Sequence, residues 1–496
     1  MEYLLGYDIG SSSIKASLLA TEGQLVASAT SPQTELAIIA KQPGWAEQEP
    51  STWWEHVKLA TAELLAKSQV QPGQIKAIGI SYQMHGLVLV DKEKRVLRPA
   101  IIWCDSRAAG IGDRAFADLG EEQCLSRFLN SPGNFTASKL KWVQENEPEI
   151  YGKIHKAMLP GDYIGMMLTG EIKTTPSGLS EGILWDFQEQ KLAATLLQYY
   201  GIDQDLIPEV APTFSPQGQL TVQAANELGL KPGTVVAYRA GDQPNNAFSL
   251  NVLNPGEVAA TAGTSGVVYG VGAKPEYDPK SRVNTFLHVN HQPEDPRYGI
   301  LLCLNGTGIL NRWLKQNLMD EAVTYDEMNA LASKVPPGAD GIMIFPYGNG
   351  AERTLENKEI NASIRGLNFN LHHRGHLLRA GQEGIVFALN YGLGIMKKMG
   401  VDINLVRAGQ ANMFLSPLFS EVFATVTGAR VELYNTDGAQ GAARGAGLGA
   451  GVYANPSEAF AGLKAEKTIE PNPKLVSVYQ DLYQEWAAVL QTQLKK

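Results

Sequence analysis

Apolar residues at 3–7 end in Asp8, and the chain then turns through Gly10 and three serines. A second apolar run at 14–19 follows, and Gly23 leads into a third at 25–30. This predicts neighbouring antiparallel strands joined by small-residue turns. A dinucleotide-binding βαβ unit would place a helix directly behind the glycines, so that reading is set aside. Helical spacing over 52–66, behind Pro50-Ser51, predicts a helix. Strands are expected at 75–81 and 87–90, flanking the loop 82–86. A helix is expected at 162–168 and a turn-rich stretch at 170–185. A buried strand at 234–237 runs into AGDQPNNA.

After Pro255-Gly256 the opening pattern returns: strand at 258–261, a turn at Gly263-Thr264-Ser265-Gly266, strand at 267–271. The echo predicts a duplicated α/β architecture. The boundary is expected near Ser249, giving lobes of 1–248 and 249–496. The second lobe is expected to hold a helix at 384–399, a strand at 403–406, a small-residue helix at 438–451 and a surface helix at 474–493. GAGLGAG at 445–451 lacks the strand and turn of a nucleotide fingerprint and reads as close helix packing.

A chain of 496 residues exceeds one hydrophobic core, in keeping with two domains. The net charge of -9, spread along the chain, argues against nucleic acid as the main partner. Three scattered cysteines (Cys104, Cys124, Cys303) form neither a zinc pattern nor a disulfide framework. With no basic leader and no long apolar span, the chain is expected to be cytoplasmic, with no membrane partner.

Phosphoryl transfer needs a metal, donors for phosphate oxygens and a carboxylate facing the acceptor hydroxyl. The GxxxxGK[ST] cradle and the protein-kinase signatures are absent. DIGSSSIK instead offers Asp8 at a strand end beside a donor-rich turn, and TAGTSG supplies a second such turn. Facing turns from two lobes can clamp a triphosphate, with Asp8 holding hydrated Mg²⁺; each turn alone also reads as a plain hairpin. Asp242 reads as a general base at a strand end or as a helix N-cap, and the two roles are compatible. Gln83, Met84 and His85 suit a sugar, two polar tips flanking an apolar one, although a lone loop histidine also has a purely structural reading. Trp103 and Asp105 end a strand and are expected to complete that pocket, with a buried core position the equal alternative for Trp103 alone. His372, His373 and His376, and the pair His288 and His291, lack metal-ligand company and read as solvated loop. Backbone in RAGQAN at 407–412 can approach an adenine.

The whole chain resembles the FGGY carbohydrate kinases, from DIGSSSIK to GAARGAG, and most of all the branch acting on xylulose. The segment ISYQMHGLVLVDKEKRVLRPAIIWCDSR carries this resemblance most specifically, with FTASKLKWVQENEPEIY and LPGDYIGMMLTGE beside it. The resemblance implies two ribonuclease H-like, actin- and hexokinase-type lobes with mixed sheets around a central cleft that closes on the sugar. It implies an ATP- and Mg²⁺-dependent kinase for a small ketose, D-xylulose foremost. Carried over by residue, Asp8 assists metal and phosphates, with Gly10, Ser11, Ser12, Ser13 and Lys15 about the first phosphate turn. Met84 and His85 contact the ketose, and Asp242 deprotonates its C5 hydroxyl and faces the metal through water. Gly263, Thr264 and Ser265 form the second phosphate turn. Gly308, Asn311, Gly409, Gln410 and Asn412 line the nucleotide. Tyr238-Arg239-Ala240-Gly241 stands where the family carries a run of glycines, and AGQAN replaces its GGG motif. L-ribulose, another pentulose or a polyol stand as alternative substrates. A non-catalytic, actin-like ATP-binding assembly protein is the rival from another class, and a homodimer is the default oligomer.

Overall fold

The computed structural model describes residues 1–495. The chain forms two compact units. The first comprises Met1–Asn251, Phe286–Tyr298 and Thr436–Leu463; the second comprises Val252–Thr285, Gly299–Asn435 and Lys464–Lys496. A single cut near Ser249 therefore describes only the first half of the chain, because two later segments return to the first unit.

The first unit is built on a six-stranded sheet of β1 (Tyr3–Ile9), β2 (Ile14–Ala20), β3 (Leu25–Ser31), β4 (Ile75–Tyr82), β5 (Phe214–Gln219) and β6 (Val235–Gly241), in the order β5-β6-β4-β1-β2-β3. β1, β2 and β3 form an antiparallel meander, while β4 is parallel to β1 and β6 is parallel to β4. The second unit repeats this scheme. Its β7 (Glu257–Ala262) and β8 (Gly266–Gly272) form a hairpin, β9 (Tyr298–Leu304) lies outside β8, and β10 (Leu405–Gly409) and β11 (Arg430–Tyr434) run parallel to β7. β12 (Ala465–Ile469) closes that edge antiparallel. The sequence echo is thus a duplicated sheet topology, of the ribonuclease H-like kind.

The period of two along β1 decides what each face carries. Leu5, Tyr7 and Ile9 are buried toward the helix Pro50–Ser68, where the Tyr7 hydroxyl and Thr61 Oγ1 lie 2.6 Å apart. Gly6 and Asp8 face the other way, onto the helix Gly438–Gly449. A Cβ on Gly6 would collide with the Ala439 carbonyl, and one on Gly79 of β4 with the Ala442 carbonyl. On the helix side, a Cβ on Gly445 would lie 2.5 Å from the Tyr238 ring. The small residues of 438–449 thus allow a helix to lie almost backbone-to-backbone on the sheet, as its composition predicts.

In the second unit the helix Arg374–Lys398 starts ten residues before the expected 384. Its first turns are polar yet buried. Arg379 donates to Glu383 at 2.7 Å and to the Tyr479 hydroxyl at 2.7 Å, and Glu383 accepts from Gly338 N. Of the three histidines expected in a solvated loop, His372 stays in the loop, its Nε2 3.0 Å from Asp340 O, while the other two build this helix's start. His373 caps it by accepting from Gly375 N, and His376, only 6% exposed, lies 3.0 Å from Asp340 Oδ2. The terminal helix Val476–Leu494 is likewise more than a surface element, since Tyr479, Trp486 and Leu490 are buried in the second core. The stretch 170–185 contains a short helix, Pro176–Glu181, capped by Thr175.

Candidate active site

Asp8 and Ser81 are paired across β1 and β4, and both project on the face covered by Gly438–Gly449. The Ser81 hydroxyl donates to Asp8 Oδ1 at 2.8 Å. Asp8 also lies at the N-terminus of that helix, against Gly438, where the helix's end favours negative charge. Its proton affinity is nevertheless raised, first by burial and then by the nearby Asp437, with Ser81 and Lys15 acting in the opposite sense. Lys15 is the cross-strand partner of Asp8 on β2.

The turn after β1 is rigidly held. Gly10 N donates to Ser13 O at 3.1 Å, Leu36 N to Ser12 O at 2.8 Å, and Gln48 Nε2 to Ser11 O at 2.7 Å. Trp103, expected to stack on sugar or fill the core, is 53% exposed and its Nε1 donates to Ser11 Oγ at 3.2 Å.

Asp242 opens the helix Asp242–Ser249 at the end of β6. The cap position is taken by Gly241, so the capping alternative is not the one adopted. Gln243 Nε2 donates to Asp242 Oδ2 at 3.2 Å. Burial, reinforced by the charge of Asp8, pushes the Asp242 carboxyl up to about 7. A carboxyl poised there near neutrality is suited to take a proton from a hydroxyl.

The loop 82–86, expected to meet a sugar, is more closed than its sequence suggests. Gln83 is 2% exposed, and its Nε2 donates to Gln48 Oε1 at 3.3 Å. Met84 is buried against Gly241, the residue before Asp242. His85 adopts a left-handed backbone, with φ of 61°. Its Nδ1 lies 2.9 Å from the Glu181 carbonyl, which makes Nδ1–H the donor, and its ring packs on Phe135 and Phe286.

Asp105 does not belong to the pocket. It is fully buried, and its carboxylate accepts from Ala46 N, Arg107 N and the Arg107 guanidinium. Arg107 in turn lies over Trp45 and pairs with Glu47. With every lone pair engaged, Asp105 fixes the loop after Trp103 and has nothing left for a sugar.

Two site residues escaped the sequence reading. Glu181, 1% exposed, has both carboxyl oxygens buried beside Gly241. Burial and the neighbouring Asp242 raise its proton affinity well above the carboxylate range, and the Tyr82 hydroxyl is its polar neighbour. Lys139 is fully buried on the helix Thr136–Asn146, beneath the loop 82–86. Both sit in segments whose local pattern signals only turn or helix.

In the second unit, a cavity of about 380 Å³ gathers Gly263, Thr264, Gly308, Asn311 and Asn412. Gly308 N donates to Gly263 O at 2.8 Å and Ile309 N to Thr264 O at 3.1 Å, so the helix Gly308–Leu318 starts directly on the turn at Gly263 and Thr264. Asn412 has a φ of 54° beside Gly263. Asn311 Oδ1 is buried without a hydrogen-bond partner, as fits a group awaiting a ligand's donor. Ser265, Gly409 and Gln410 lie outside this lining.

These features describe a sugar-phosphorylating enzyme: duplicated ribonuclease H-like units, a carboxylate pair at two strand ends in one, and a cavity floored by a glycine turn in the other. The N-terminal domain of the FGGY family of carbohydrate kinases matches residues 3–249, and the family's C-terminal domain matches residues 258–454. The chain belongs to the FGGY family of carbohydrate kinases. It is 30% identical to xylulose kinase of Escherichia coli over 487 residues, covering 96% of each chain. It is 29% identical to xylulose kinase of Bacillus subtilis, covering 97% of this chain and 95% of the relative. A crystal structure of a "xyloylose kinase" from Brucella ovis superposes with a TM-score of 0.89 at 28% identity, covering 99% of both chains. The chain is a carbohydrate kinase, with ATP and a sugar as its substrates.

Proposed function

We propose that the chain phosphorylates a small ketose, with D-xylulose preferred, yielding D-xylulose 5-phosphate and ADP. The observation that carries this reading is Asp242, a carboxyl held near neutrality at a strand end, beside Asp8 and next to the buried contact of Gly241 with Met84. Ionised Asp242 accepts the proton of the C5 hydroxyl as that oxygen bonds to the γ-phosphorus. The bond from phosphorus to the β,γ-bridging oxygen breaks, and ADP carries away its electron pair. Xylulose as the acceptor is supported by the names of the relatives matched over nearly their full length, and by the Gln83-Met84-His85-Gly86 loop.

The second unit supplies the nucleotide side, with Gly263, Thr264 and Gly308 presenting backbone to phosphates and Asn311 and Asn412 flanking the nucleoside. Magnesium would be held by Asp8 and, through water, Asp242. Among the described residues no group of three or more acidic, histidine or cysteine side chains gathers as a metal cage, which suits an ion that keeps waters and binds through one or two carboxylates and the phosphates. When bound, the ion offsets the charge on the phosphate oxygens.

The test is turnover across D-xylulose, L-ribulose, other pentuloses, glycerol and gluconate in a coupled ADP assay. The expected result is the highest kcat/KM for D-xylulose. A larger value for another acceptor moves the assignment to that sugar, and no turnover with any acceptor overturns it.

A further inference from the structure

His85 holds a backbone conformation that a non-glycine residue adopts at a cost, and such strain persists only where surrounding contacts over-determine it. The ring contacts described above fix its side chain. The backbone is fixed by Lys139, whose Nζ donates to His85 O at 2.8 Å and to Ile102 O at 2.9 Å. Ile102 directly precedes Trp103, so one amine ties the sugar loop to the loop that reaches Ser11.

Lys139 is an expensive residue to bury, and Asp105, the carboxylate that acts on it, is already paired with Arg107. Burial pushes the amine down to about 7, against the opposing pull of Asp105 and Cys104 and with the added effect of Arg107. Either protonation state retains the two N–H donors that the two carbonyls require. A methionine would fill the same space without the desolvation penalty. What the amine adds is the position of two carbonyls, both on loops that carry the sugar side of the site.

We propose that Lys139 is a positioning residue for the acceptor sugar: by clamping the carbonyls of His85 and Ile102 it holds the His85 imidazole in its binding orientation. The inference rests on the kinase reading above and concerns that same site.

The experiment compares wild type, Lys139→Met, His85→Ala and the double variant in steady-state assays with D-xylulose and ATP. K139M is expected to raise the sugar KM at least tenfold while the ATP KM stays within twofold. Because Lys139 acts through His85, adding K139M to H85A is expected to raise the sugar KM by less than threefold more. Propylamine, which replaces the missing side chain in Lys139→Ala, is expected to recover part of the lost sugar affinity. Wild-type sugar KM in K139M, equal changes in both KM values, or multiplicative effects in the double variant would each overturn the proposal. If neither K139M nor K139A folds by circular dichroism, Lys139 belongs to the fold and the proposal also fails. Absence of sugar turnover in wild type defeats the kinase reading instead, so the two failures are distinguishable.

Discussion

The Ser81 hydroxyl donates to the Asp8 carboxylate at 2.8 Å, from the neighbouring parallel strand and on the same sheet face. This bond stabilises the ionised form of a group whose burial otherwise favours protonation. Ser81→Ala should therefore raise the proton affinity of Asp8 further. A charge-assisted hydrogen bond is worth about 1.5–3 kcal/mol, so kcat/KM should fall by up to roughly one to two powers of ten at pH values where Asp8 is largely protonated. Because the loss comes from protonation, it should shrink at pH 9, as pH–rate profiles of both proteins would show. An equal deficit at every pH would assign Ser81 a different role.

Asp242 must be ionised to act as base, so kcat/KM for the sugar should climb as pH rises through about 7 and level off above it. Asp242→Asn should lower kcat by about 10²–10⁴-fold without a matching change in the ATP KM. Stability should move in the opposite direction. A carboxyl with its folded value raised holds its proton more firmly in the native chain, and the stability it contributes is lost as pH climbs from the unfolded value of about 4 toward 7. D242N should consequently melt above wild type at pH 8 and match it near pH 4, measured by calorimetry without ligands.

Asp105 gives the contrasting expectation. Its carboxylate is buried under Arg107 and Ala46 N, and removing one partner of such a pair costs about 3–5 kcal/mol. Asp105→Ala should lower the denaturation midpoint clearly in urea. The sugar KM of the folded protein, measured at low temperature, should stay within threefold of wild type.

Gly445 lies flat on the Tyr238 ring, and added side-chain atoms there have nowhere to go. Gly445→Val should destabilise the first unit by about 1–3 kcal/mol, a shift readable in chemical denaturation. A valine tolerated at no cost would show that the helix can lift from the sheet.

How much of this was legible in sequence follows from where each partner lies. The meander β1–β3 and the hairpin β7–β8 repeat at a period of two and are bounded by Gly and Ser turns, so local pattern suffices. Asp8 and Asp242 were visible because each closes an apolar strand. The first turns of Arg374–Lys398 were hidden, since Arg379 and Glu383 look like surface until Tyr479 and Gly338 are brought to them. Asp105 was misjudged for the related reason that the local sequence gave no sign of how fully Arg107 and Ala46 N would engage its carboxylate. Glu181 and Lys139 carry no local signal at all, because their significance lies in facing Gly241 and His85 from other elements.

The helix Gly438–Gly449 also bears on biosynthesis. It lies against Gly6 and Gly79 yet leaves the ribosome long after them. At about 5–20 residues per second, the opening strands emerge tens of seconds before their cover is translated. Throughout that delay the glycine-rich face of the nascent sheet lacks its native lid. A gene fragment ending at residue 251 should reproduce this state permanently, giving a polypeptide that needs a chaperone or a separately supplied C-terminal peptide to stay dispersed.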